Sequence, residues 1–222
     1  MKDIQREIGR LNPRQKEAVL HAEGPLLILA GAGSGKTRVI TMRTAYLIHT
    51  GIKAGSVMAV TFTNKAAGEM KGRVKSLVRD GNGTPLISTF HSLCLRILRS
   101  EIECLGYRKD FTIYDTSEQV SLLRNILSEI RFGDKNFKAE SILESISKTK
   151  NDLSPTDAVQ SENPLEEVSA MLYPRYREAL KSLNALDFDD LLLLRALLGK
   201  LRQSARGRVC ENRGFHQFAV EL

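Results

Sequence analysis

The 222-residue chain has no tryptophan, three cysteines, six prolines and only 6% aromatic residues. The three thiols (Cys94, Cys104, Cys210) form no CxxC and have no neighbouring histidine pair, which argues against a disulfide framework and against a zinc site. No apolar run approaches the ~20 residues a bilayer span requires, and the opening MKDIQREIGRL lacks the cationic-then-apolar form of a secretory signal. A cytoplasmic protein with no membrane contact is therefore expected. With 42% apolar and 27% charged residues the chain is not disordered, and its length suits one domain or two small ones.

Charge is unevenly distributed. The net value is +7, but residues 1–110 hold 18 basic and 9 acidic side chains, whereas residues 111–185 hold 9 and 12. The first half is the candidate for meeting a polyanion. There, short apolar runs alternate with helical patterns. Asn12-Pro13 reads as the cap and first residue of a helix reaching about His21. Pro25 to Ala30, bounded by Gly24 and Gly31, reads as a central parallel strand. Helices follow from Lys36 to about His49, from a cap at Asn64, and from about Phe90 to Leu105, with further strands at Val57–Thr61 and Pro85–Ser88. Such alternation predicts a parallel α/β sheet. From about Arg108 only helices are expected: one behind a capping box at Thr116-Ser117-Glu118-Gln119, then about 138–150 and 166–183, separated by the polar stretch 151–163. Leu186-Asp187-Phe188-Asp189-Asp190 opens a last apolar helix, its acids reading as a cap.

The most specific motif is Ala30-Gly31-Ala32-Gly33-Ser34-Gly35-Lys36-Thr37, between a predicted strand and a predicted helix. Glycines admit backbone conformations barred to a Cβ and let N–H groups approach phosphate oxygens, while the helix N-terminus adds partial positive charge. Lys36 then reaches the β- and γ-phosphates and the Thr37 hydroxyl ligates Mg²⁺. The loop alone leaves kinases, GTPases and motors open. Upstream, the Gln15 amide can both donate to and accept from the edge of adenine.

Five motifs occur in order: Leu11-Asn12-Pro13-x-Gln15, AGAGSGKTR (Ala30 to Arg38), Val60-Thr61-Phe62-Thr63-Asn64-Lys65-Ala66-Ala67, Thr89-Phe90-His91-Ser92, and Leu186-Asp187-Phe188-Asp189-Asp190. Together they resemble the N-terminal part of superfamily 1 DNA helicases of the UvrD/Rep/PcrA family. The resemblance implies a RecA-like P-loop NTPase domain (1–108) with an inserted all-helical subdomain (109–184) and a return segment (185–222). It implies an ATP-driven 3′-to-5′ translocase acting on single-stranded DNA and duplex junctions in repair or replication. Gln15 would read adenine; Ala30, Gly31, Ala32, Gly33, Ser34, Gly35, Lys36, Thr37 and Arg38 would hold ATP, and Thr37 the Mg²⁺. Phe62, Thr63 and Asn64, with Thr89, Phe90 and His91, would line the single-strand groove. Asp187, Phe188 and Asp189 would mix packing with DNA contact.

The pattern also has gaps. A complete family member carries a second RecA-like domain and a DExxQ motif, and this sequence has no DExxQ. Phe215 to Val220 mimics the strand before that motif, with Glu221 where its Asp belongs and Leu222 at the catalytic Glu position. With no arginine finger from a second domain either, the expectation is a chain that binds ATP and Mg²⁺ without unwinding. The alternatives are a stand-alone module binding single-stranded DNA or a partner, and an ordinary phosphotransferase.

Overall fold

A computed structural model describes residues 4–21, 23–78, 83–130, 137–151, 163–205 and 217–220. The polar stretch 152–162, Phe215, Glu221 and Leu222 lie outside them. Two compact units form, Met1–Leu93 with Cys210–Leu222, and Cys94–Val209. The sequence pattern changes at 108/109; by packing the division falls earlier, at 93/94.

In the first unit, helices α1 (Ile4–Gly9), α2 (Pro13–Leu20), α3 (Lys36–His49) and α4 (Asn64–Leu77) accompany strands β1 (Val57–Thr61) and β2 (Leu86–Thr89). β1 is buried at all five residues, as the apolar run Val57–Val60 requires of a central parallel strand, with Thr61 buried at its end. It pairs in parallel with β2 on one side and, on the other, with a C-terminal strand, Gln217–Val220. The α/β class with a parallel sheet is thus as expected, and the strand placed at 215–220 is present over 217–220.

One expected strand is not. Pro25–Ala30 joins neither sheet, and Leu27 and Leu29 are 72% and 88% exposed. A short strand is held by ladder hydrogen bonds from its neighbours. The outer edges of β2 and of the C-terminal strand have no strand partner among the described residues, yet this segment pairs with neither, so apolar character alone does not bring it in. Two caps also move by one residue. Thr63, not Asn64, caps α4 by accepting the Ala66 N–H (3.1 Å).

Packing of the first unit follows the helical spacing. Met70 and Val74 of α4 meet Ile40 and Ile48 of α3, Val57 and Ala59 of β1, and Ile87 of β2. α1 and α2 cover the rest of α3 through Ile4, Ile8, Val19, Val39 and Met42. Arg43 of α3 donates to the carbonyls of Ala18 (3.1 Å) and His21 (2.5 Å), satisfying acceptors at the end of α2. Desolvation there lowers its pKa.

The second unit holds most of α5 (Phe90–Glu101), then α6 (Thr116–Glu129), α7 (Ala139–Asn151), α8 (Pro164–Ser182) and α9 (Phe188–Ala205). Asp115, not Thr116, makes the capping box of α6 with Glu118. "Helices only" also needs correcting, because β3 (Thr112–Ile113) and β4 (Ala185–Leu186) pair in parallel; the C-terminal strand Gln217–Val220 of the first unit is β5. Two residues per strand are too few to show a period in sequence. Among the described residues no helix is long and apolar enough to cross a membrane.

The acids at the start of α9 do more than cap it. Asp187 and Asp190 exchange reciprocal side-chain bonds with each other's backbone N–H, 2.9 and 3.2 Å, which is a capping box. Lys150, at the end of α7, donates to Asp187 at 2.5 Å and to Asp190 at 2.7 Å, with its side chain 1% exposed. Tyr176 of α8 donates to the same Asp187 oxygen at 3.0 Å, and Ser147 of α7 to Asp189 at 2.6 Å. Three helices thus converge on one buried charge cluster. Asp187 and Asp189 here serve packing and internal hydrogen bonding. Burial alone would lower the Lys150 pKa, but the two carboxylates outweigh it and hold it raised. Burial, then the Asp187 charge, push the Tyr176 hydroxyl up as well.

Two outcomes follow for stability. Lys150→Met leaves two carboxylates without their cation, and should cost about 3–5 kcal/mol in urea unfolding; a loss below about 1 kcal/mol would show the cluster to be solvated. Burial first, then Asp187, raise the Asp190 carboxyl from 3.8 to about 6 against the opposing pull of Lys150. Between about pH 4 and about 6 the folded chain therefore keeps a proton that the unfolded chain has released. This contribution is complete at the acid end and is lost as pH rises through about 6. The unfolding free energy of the wild type minus that of Asp190→Asn should accordingly fall over this range; a flat or rising difference contradicts the assignment.

Candidate functional site

The candidate phosphate loop is built from two left-handed glycines and an open helix end. Gly33 (φ +75°) and Gly35 (φ +89°) occupy conformations that a side chain disfavours, and the Ser34 N–H closes the turn on the Gly31 carbonyl at 3.3 Å. α3 then starts at Lys36 with no side-chain cap, whereas α2, α4, α6 and α8 are capped by Asn12, Thr63, Asp115 and Asn163. A helix N-terminus left without an internal acceptor, and led by a positive dipole, is suited to an anion. The Lys36 ammonium folds back into the loop, donating to the carbonyls of Ala30 (2.9 Å) and Gly31 (3.2 Å). Lys36 and Thr37 are half-buried and Arg38 is exposed. This donor set fits a polyphosphate. Among the described residues no cluster of three or more metal-ligating side chains occurs, so Mg²⁺ fits here only through the Thr37 hydroxyl together with the phosphates themselves.

Gln15 does something its sequence pattern did not reveal. The Asn12 side chain accepts the Gln15 N–H at 2.8 Å, and the Gln15 Oε1 accepts the Asn12 N–H at 3.3 Å. With one end of its amide fixed in this way, Nε2 donates across 19 residues to the Ser34 carbonyl at 3.0 Å. A Cβ on Gly35 would stand 3.0 Å from that Nε2, so a side chain there would push on the tether as well as adopt an unfavourable φ. The capping-box spacing Asn12-x-x-Gln15 was visible in the sequence; the Ser34 contact was not. Each amide end still has one further hydrogen-bonding position, which leaves an adenine edge to be read.

The second cluster sits at the C-terminal ends of β1 and β2, the edge where parallel sheets take ligands. Register fixes it. Thr61 pairs with Thr89, so the following residues, Phe62 and Phe90, emerge side by side with ring centroids 5.2 Å apart and planes inclined at 45°. Phe62 is 61% exposed, well outside the core, and Phe90 is half-buried. Thr63 and Asn64 are exposed and His91 is half-buried. The Thr63 hydroxyl is used as the α4 cap. Thr89 is buried, accepting the Ser92 N–H at 3.2 Å and donating to the Ser92 hydroxyl at 2.9 Å. The structure thus brings Thr61 to Asn64 and Thr89 to His91 together, with only Phe62, Asn64 and part of Thr63 presented openly.

Comparison with known proteins agrees in scope. A family model described as the UvrD/REP helicase N-terminal domain matches residues 11–213. The chain is 45% identical over 189 residues to the ATP-dependent DNA helicase PcrA of Bacillus subtilis, and 43% identical over 189 residues to the PcrA proteins of Staphylococcus epidermidis and Staphylococcus aureus. Each alignment covers 84% of this chain and 26% of the relative, so the chain spans about a quarter of the length of these relatives.

Removing the Gln15 tether should loosen the loop without unfolding the unit. A hydrogen bond of this kind contributes about 0.5–1.5 kcal/mol. In Gln15→Ala, amide exchange over Gly31–Gly35 should accelerate by up to about tenfold while β1 stays protected. Unchanged exchange in the loop would mean that the Ser34 contact does not restrain it.

Proposed function

We propose that this chain, which belongs to the UvrD/REP helicase N-terminal domain family, is the nucleotide-binding and strand-gripping part of an ATP-dependent DNA helicase. The carrying observation is that one compact unit holds both an uncapped glycine-loop helix end, with an ammonium folded into it, and an exposed aromatic pair at the sheet's C-terminal edge. We read residues 1–108 and 185–222 as a RecA-like domain and 109–184 as its helical insert.

In this reading the backbone N–H groups of Gly31 to Lys36 and the Lys36 ammonium hold the β- and γ-phosphates of ATP, while Thr37 contributes its hydroxyl to Mg²⁺. Bound ATP supplies the phosphoryl-transfer free energy. Lys36 gives up the Ala30 and Gly31 carbonyls to meet the phosphates, an exchange of neutral acceptors for charged ones that favours binding. Gln15, aimed by Asn12 and Ser34, selects adenine. Arg38 stands exposed next to the loop as a further cation.

Phe62, backed by Phe90, offers a base a stacking surface that any sequence can use, contributing about 1–3 kcal/mol per base. Such a contact suits a motor that steps along single strands from 3′ to 5′ and meets duplex junctions during repair or replication. No DExxQ motif occurs within these 222 residues, so we read their part in the cycle as holding nucleotide and strand rather than orienting the attacking water.

Titration calorimetry with MgATP tests this reading. The wild type should bind ATP in preference to GTP, and Lys36→Ala should weaken ATP binding by tenfold or more while the melting temperature is kept. Absence of binding heat from the folded wild type would overturn it.

A further inference from the structure

We infer that one side of α4 is a second contact for nucleic acid, gripping the phosphate backbone of the strand whose bases meet Phe62. α4 buries Ala67, Met70 and Val74. At about 100° per residue, Lys65, Gly68, Lys71, Gly72 and Lys75 all fall within one sector of about 120° that flanks the buried face without overlapping it. All five are exposed. The helix's other exposed sector is internally neutralised, with Arg73 and Glu69 at 3.6 Å. The lysine sector contains no acid, and among the described residues none of its three ammonium groups has an ion-pair partner.

This face weakens its own helix. Lys71 and Lys75 are like charges one turn apart, an unfavourable spacing. Gly68 and Gly72 each give up helix propensity relative to alanine. Neither glycine has a positive φ, and a Cβ on either would meet nothing within 4 Å, so no internal packing calls for them. Their effect is external, leaving bare backbone between three cations. Charge is what selects the occupant. A row of unneutralised lysines on a domain whose first 110 residues are strongly basic complements a polyphosphate backbone rather than an acidic side chain or an apolar surface. The face is also continuous with the aromatic cluster, since α4 starts at Asn64, two residues after Phe62, and runs for 14 residues, about 21 Å.

The inference rests on the strand-gripping reading above, and one experiment separates the two. Binding of a fluorescent oligothymidylate to the whole chain is followed by anisotropy across a salt series, alongside thermal melts. Each neutralised single-strand phosphate contributes about −0.7 to the slope of log K against log salt. Lys71→Gln/Lys75→Gln should make that slope shallower by about 1.4, whereas Lys16→Gln/Lys53→Gln, with equal charge loss elsewhere, should leave it nearly unchanged. Gly68→Ala/Gly72→Ala should raise the melting temperature and weaken binding several-fold, a combination that a purely structural role does not give. An unchanged slope in the Lys71/Lys75 variant, an equal change in the control pair, or full affinity in the glycine variant overturns the contact on α4. Phe62→Ala should lower affinity with little change of slope; if it has no effect while the α4 lysines do, stacking at Phe62 falls and the α4 contact stands.

Discussion

The candidate site depends on the parallel register between β1 and β2. Because Thr61 pairs with Thr89, the two chain segments leave the sheet level with each other, and the residues after the strands, Phe62 and Phe90, meet as a ring pair. A slip of one residue would send the β2 side chains to the opposite face and separate the two motifs. The register is secured by burial, since all five β1 residues and Ile87 of β2 are taken up by the cluster or the sheet. Core packing, rather than any polar contact in the site itself, thus sets the geometry of the aromatic surface.

The helix ends are handled in two different ways, and the difference has functional meaning. Most helix starts are closed by a nearby side chain, which removes their attraction for an external anion. α3 alone among those with a described cap pattern in the first unit's long helices begins on a left-handed glycine with no such group. The loop that leads into it is restrained from outside, by Gln15 of α2, instead of by its own side chains. Holding the loop through a remote amide leaves its N–H groups available, while the same amide keeps a donor and an acceptor position for a base. In the proposed function, position and recognition are thereby joined in one side chain.

The helical unit follows another logic. Three of its helices, α7, α8 and α9, share a buried lysine and two buried aspartates, a cluster with one more negative than positive charge. Such an arrangement contributes little net stability compared with apolar packing, but it is sensitive to the loss of either sign. It also ties the segment after 185 to the helices that precede it, so the Leu186-Asp187-Phe188-Asp189-Asp190 motif is anchored by residues about 40 positions earlier.

Much of this was legible in the amino-acid sequence. The glycine loop, α3 from Lys36 to His49, the cap at Asn12, the strand at 57–61 and, one residue away from its expected 85–88, the strand at 86–89 follow from local chemistry: glycine conformational freedom, side-chain caps, apolar runs and helical spacing. These act within a few residues, so the sequence determines them. What tertiary structure decided is everything that depends on a distant partner. Pro25–Ala30 has the composition of a strand, yet strand formation needs hydrogen-bonded neighbours, and among the described residues no strand pairs with it. Lys150 and Tyr176 look like ordinary helix residues until folding places them against Asp187, and the Gln15 amide has no visible reason to meet Ser34. Hydrogen bonds and ion pairs across tens of residues leave no period or spacing in the chain, because only the fold brings their two halves within reach.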